Sequence, residues 1–183
     1  MRVWQVGLCL AWCAFAGWWA FGRGERIPLL GFVNLGFHEL GHLVCYMVPF
    51  VGTVVTASAG SVLQCLVPFG LAVYFLGWRK DRLAAAACLA WAATNFQEAS
   101  VYIADAPYEE LQLIGGEHDW ATVLGPEHLN RLQDAGSIAS TVRGIGVVVL
   151  LVAVALCIVS LATAGSNPPR SRESEAVDER FRV

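Results

Sequence analysis

Charged residues are scarce in this chain. Asp, Glu, Lys and Arg make up 15% of 183 residues, and the formal net charge is −3. No basic stripe exists to neutralise phosphates, so nucleic acid is not expected as a partner. The six cysteines, Cys9, Cys13, Cys45, Cys65, Cys88 and Cys157, contain no Cys-x-x-Cys pair and all lie in apolar stretches. They do not form the framework of a small secreted domain and read as small buried hydrophobes. Histidine is limited to His38, His42, His118 and His128, so any imidazole site draws on these four. There is no internal repeat.

Apolar residues are abundant. They account for 56% of the chain, and the mean hydropathy is +0.55. A soluble domain of this size leaves too many residues near water to hide that much apolar surface, whereas a bilayer serves as the apolar solvent. The expected fold is all-α: a polytopic transmembrane helical bundle of about five spans, with a polar loop between the last two. The runs are Val3 to about Gly22, Pro28 to Phe50, Val51 to Trp78, Leu83 to Ala104 and Gly144 to Ala164. The first is too long and Trp-rich for a short cleavable signal core and reads as a retained helix. The third, with Pro68 inside it, predicts tilt, a kink or a re-entrant segment.

Residues 1–164 thus form one membrane bundle, and 165–183 a polar tail expected to be disordered. Within the loop 105–140, Pro126 is expected to open a short helix that fades at Gly136. The basic stretches Arg23–Arg26 and Arg79–Arg82 are separated by two spans. By the positive-inside rule both are expected on the cytoplasmic side, with the tail there too.

One motif carries chemistry. His38-Glu39-Leu40-Gly41-His42 puts two imidazoles four residues apart, on one face of a helix, where they can share a zinc ion at about 2.0–2.1 Å. Glu39 stands beside them and can take a proton from zinc-bound water. A charged group in a hydrophobic helix costs roughly 2.5–3.5 kcal/mol, which argues against an idle motif. A catalytic zinc normally takes a third protein ligand. His118, in the flexible segment Gly115-Gly116-Glu117-His118-Asp119-Trp120, is the first candidate. Asp119 is the second, or it orients a ligand imidazole. His128 reads as a solvated histidine. Asn95, Glu98, Tyr102 and Asp105 share one face of the fourth run and point into the protein. Glu98 is a candidate ligand, ligand-orienting group or substrate contact, and Gln64 is a lone polar group suited to holding helices together.

With its His-Glu-x-x-His motif inside a transmembrane helix flanked by small residues, the chain resembles membrane-embedded zinc metallopeptidases of the site-2 protease kind over roughly residues 28–125. The resemblance implies His38 and His42 as zinc ligands, Glu39 as base, and a membrane-anchored protein or peptide as substrate. That family takes its third ligand from an Asp-Gly pair on a later helix, and this chain has no Asp-Gly, which marks a divergent relative. His118-Asp119-Trp120 together with Ala104-Asp105-Ala106 also resembles a pattern in small bacterial membrane proteins, implying a shared site, and the expected location is the bacterial inner membrane. The expected activity is zinc-dependent peptide hydrolysis within or beside the membrane lipid bilayer. The rivals are hydrolysis of another amide or a lipid by the same metal and base, and a non-catalytic metal-binding scaffold.

Overall fold

The structure is a computed structural model that describes residues 3–113 and 117–165. The tail expected to be disordered lies outside the described residues from 166 onward. All regular structure described is helical. Helix α1 spans Val3–Gly17 and continues as a π-helical turn, Trp18–Arg23. Helix α2 is Pro28–Met47 and α3 is Thr53–Tyr74, extended by a second π turn, Phe75–Arg79. Helices α4 (Arg82–Asp105), α5 (Asp119–Leu124) and α6 (Ala135–Gly165) follow.

Local chemistry sets several boundaries. Pro28 starts α2 in the first turn, where a missing N–H costs nothing. Asp81 caps α4, its carboxylate accepting from the Leu83 and Ala84 amides at 3.1 and 3.0 Å. Pro68 does not end α3, which runs through it as one helix.

Two expectations for the polar loop are corrected. A short helix, α5, precedes Pro126, started by the His118 side chain accepting from the Ala121 amide, and Pro126 is followed only by turns and a 3-10 turn at Leu132–Asp134. Gly125, forced extended ahead of proline, ends that helix (ψ 168°). The last helix starts at Ala135, well ahead of Gly144.

Three helical stretches are long and apolar enough to cross a membrane: Val3–Arg23, Thr53–Arg79 and Leu132–Thr163. By that length and composition the chain is a membrane protein, all-helical among the described residues, with three candidate spans and not the five expected. Helix α4 is not among the three, and packing explains why. It lies against α1, α3 and α6, and Ala85, Ala86, Ala90, Ala92 and Ala93 are fully buried. A helix enclosed by others needs small residues for close approach, not lipid-facing bulk.

The helix directions were not foreseen. Helix α1 runs parallel to α4, with Cys9 Sγ on the Leu83 carbonyl (3.5 Å) and the Trp12 indole donating to the Ala87 carbonyl (3.1 Å). Helix α2 also runs parallel to α4: Ile27 packs near Ala86 and Leu89, while the His38 ring reaches Tyr102 (5.9 Å). Helix α6 is antiparallel to α4, pairing Arg143 with Gln97 (2.7 Å) and Thr163 with Arg82 (3.5 Å). The chain therefore folds back between α1 and α2. Gly24 in the left-handed region (φ 71°) and the Trp19 indole donating to the Arg26 carbonyl (3.0 Å) fix that reversal. Arg26 consequently shares a cavity with Glu98, whereas Arg82 sits sixteen residues earlier on α4, about 24 Å along the helix. The two basic stretches do not share one end of the bundle, so they do not jointly fix an orientation.

Candidate metal centre

Helix α2 meets α3 at paired glycines. A Cβ on Gly41 would overlap the Ala59 carbonyl oxygen, and one on Gly60 would lie 2.6 Å from both His38 Nε2 and His42 Nε2. Only hydrogen at these positions lets the backbones approach and brings both imidazole edges onto the α3 backbone. The ring centroids are 4.9 Å apart, at an interplanar angle of 66°.

The third member comes from α5. Asp119 Oδ2 lies 3.0 Å from His38 Nε2 and 3.2 Å from His42 Nε2. Three contacts hold α5 there. The Tyr102 hydroxyl donates to Asp119 Oδ2 (3.2 Å) and accepts from the Asp119 amide (3.0 Å). The Trp120 indole donates to Ser61 Oγ on α3 (3.0 Å). Val123 and Leu124 are buried among Ala57, Ile103 and Ala135.

Hydrogen bonding on the far side of each ring decides what the near side offers. His42 Nδ1 lies 2.9 Å from the Thr56 carbonyl, which can only accept, so Nδ1 carries the proton. His38 Nδ1 lies 3.1 Å from Gln64 Oε1, which imposes the same tautomer. In the neutral rings both Nε2 atoms are then bare lone pairs facing a carboxylate oxygen. A carboxylate oxygen 3.0 and 3.2 Å from two such lone pairs is an arrangement that a shared cation stabilises. These separations also match the edge of a zinc tetrahedron with bonds of about 2.05 Å, roughly 3.3 Å. His38, His42 and Asp119 form a donor set of the type that holds zinc, and their candidate ligand atoms all lie within 4.8 Å of one another.

His118 is not brought to the rings. Its Nδ1 accepts from the Ala121 amide (3.2 Å), leaving the proton on Nε2, which donates to Asp105 Oδ2 (3.2 Å). The side chain is fully buried and has no lone pair to give. Asp105 also accepts from the Glu110 and Leu111 amides (3.2 and 3.1 Å), so it fastens the connection after α4 and stays apart from the rings. Asn95 donates to the Gln64 carbonyl (2.8 Å), steadying the turn that carries the His38 partner. Glu98 accepts from Asn34 Nδ2 (2.8 Å), and the Trp91 indole donates to Asn34 Oδ1 (2.8 Å). His128 is exposed.

A cavity of about 260 Å³ opens beside the three residues; Glu39, Arg26, Glu98, Gln112 and Glu117 are also on its wall. Asn34, Thr56 and Gly60 act at the site without having been singled out as site residues, and Tyr102, read only as part of an inward polar face, fastens Asp119. Asn34 had a readable signal: with His38 and His42 it forms a polar series at four-residue intervals on one face of an apolar helix. Thr56 had none, since it contributes a main-chain carbonyl. No family model matches the chain, and no curated protein or solved structure matches it either.

Proposed function

We propose that this protein is a membrane-embedded zinc metallopeptidase, with His38, His42 and Asp119 as the metal ligands and Glu39 as the general base. Asp119 takes the place first expected for His118. The convergence of two imidazole Nε2 atoms on one carboxylate oxygen carries this reading. Zinc held there would act as a Lewis acid toward a carbonyl and lower the pKa of a coordinated water toward 7.

The chain's own residues do the rest. Glu39, on the next position of the same helix turn and on the cavity wall, takes the proton from the attacking water and returns it to the leaving amine. Gln64 and Thr56 hold the two rings in the ligand tautomer. Tyr102 keeps Asp119 in place. Arg26, Gln112 and Glu98 give the cavity donors and acceptors suited to an unwound peptide main chain, which supports a peptide over an acyl chain as substrate.

The site lies near the end of the bundle, level with the first turn of α3 and the last of α4. A membrane-anchored substrate reaches it there beside the bilayer surface. Helices α2 and α4 are membrane-embedded with the three apolar ones, α2 packed on α3 and running in the same direction as α1. The location is the bacterial inner membrane.

The test is zinc content and turnover of protein purified in mild detergent, with labelled membrane-anchored peptides and labelled lipids as alternative substrates. One zinc per chain and peptide cleavage are expected. Glu39→Gln should keep the zinc and lose about 10²–10⁴-fold in turnover. Unchanged turnover in that variant removes the proposed base, and cleavage of lipid alone removes the peptidase.

A further inference from the structure

Three of the six cysteines converge far from the His–Asp site. Cys9 and Cys13 are one turn apart on α1, and Cys157 faces them from α6. Their sulfurs all lie within 4.8 Å of one another, with Cys9 and Cys157 at 3.3 Å. All three are buried, and all are free thiols. Cysteines acting only as small hydrophobes have no reason to point three sulfurs at one spot. Around them pack Val6, Ala16, Ala86, Ala90 and Ala153. One main-chain oxygen, the Leu83 carbonyl, comes near, accepting from the Cys9 thiol at 3.5 Å.

This geometry points to a second metal site, and we propose that Cys9, Cys13 and Cys157 bind a soft monovalent cation of the Cu(I) type. Thiolates select soft metals. Three sulfurs in an apolar shell, with no fourth His, Cys, Asp or Glu donor among the described residues, suit the two- or three-coordinate preference of Cu(I) better than the tetrahedral demand of zinc. Binding involves no redox step: copper enters and stays as Cu(I), and each thiol that becomes a thiolate ligand releases one proton to solvent.

A crevice of about 730 Å³ lies at the start of α4, and Gln5, Leu83 and Ser160 are on its wall. Two residues of its wall are close to the cysteines along the chain: Gln5 is about one helical turn, ~5.4 Å of rise, from Cys9, and Ser160 about one turn from Cys157. The Ser160 hydroxyl is buried with no hydrogen-bond partner among the described residues. Arg79, Lys80 and Arg82 stand on the crevice wall with a single acid, Asp81. Their surplus positive charge favours an anionic copper–thiolate centre.

The test uses the full chain, reduced and purified in detergent without oxygen, titrated with Cu(I) against a chromogenic Cu(I) chelator. X-ray absorption at the copper edge accompanies it. One copper per chain is expected, with a sulfur-only shell at about 2.3 Å, the usual metal–thiolate length. Cys9→Ala and Cys157→Ala, small apolar replacements suited to the buried sites, should each weaken binding at least tenfold with helicity unchanged. Cys65→Ala and His38→Ala should leave it intact, which separates this site from the proposed zinc centre. Equal copper binding in the Cys157→Ala protein overturns the proposal. So does a nitrogen or oxygen shell, or a Cys9–Cys157 disulfide formed in air by a chain that takes up no copper when reduced.

Discussion

Replacing Gly60 by alanine adds one methyl group where the zinc ligands meet. The new Cβ would lie 2.6 Å from His38 Nε2, His38 Cδ2 and His42 Nε2. Non-bonded heavy atoms settle near 3.5 Å, so the rings must retreat by about 0.9 Å. Each ring is also hydrogen-bonded to α3 itself, through Gln64 or the Thr56 carbonyl one turn to either side of Gly60, and cannot retreat from that helix without giving up the bond. Metal–ligand distances tolerate only about ±0.2 Å, so a shift of this size separates the nitrogens from any shared ion. Zinc affinity should fall by at least about 100-fold, ~2.7 kcal/mol. Helix propensity moves the opposite way, since alanine is favoured over glycine in a helix interior by about 1 kcal/mol. The measurement is zinc occupancy under chelator competition together with circular dichroism. Lost metal with helicity retained is the expected pattern. Gly36→Ala is the matched control, because a Cβ there meets nothing within 4 Å and the metal should stay. A Gly60→Ala protein with full zinc occupancy refutes the reasoning, because the imidazole edges then do not face α3.

Four further substitutions separate the roles assigned around the rings. Asp119→Ala should strip the zinc, while His118→Ala should keep it and lose stability, about 1 kcal/mol from the cap alone plus its bond to Asp105; zinc analysis and thermal melts read the two, and the reverse pattern restores His118 as ligand. Gln64→Leu removes the acceptor from His38 Nδ1 and should weaken zinc by about 10–100-fold, measured by competition with a chelator. Wild-type affinity in that variant means the tautomer is not set there. Trp120→Phe deletes the bond to Ser61 and should lower stability by about 1 kcal/mol, read as a drop in melting temperature of the detergent-purified protein. An unchanged melt would place the anchoring of α5 elsewhere.

The sequence alone determined an all-helical chain rich in apolar runs and a pair of imidazoles one turn apart on a helix, because composition and a four-residue spacing are local properties. The polar face of Asn95, Glu98, Tyr102 and Asp105 was legible for the same reason, since helical periodicity fixes which side chains share a side. The choice between His118 and Asp119 was not legible. The two are neighbours in the chain, and only the docking of α5 on α3 turns the carboxylate toward the rings while the imidazole caps the helix behind it. Nor could the spacing of the basic stretches reveal that α1 and α2 run in the same direction, which depends on a reversal around Gly24. Cys9, Cys13 and Cys157 show the limit most plainly: their sulfurs share one point only because the first and last helices, 148 positions apart in the chain, pack antiparallel. Short-range patterns survive in the linear text, whereas convergence of distant side chains is set by helix packing and does not.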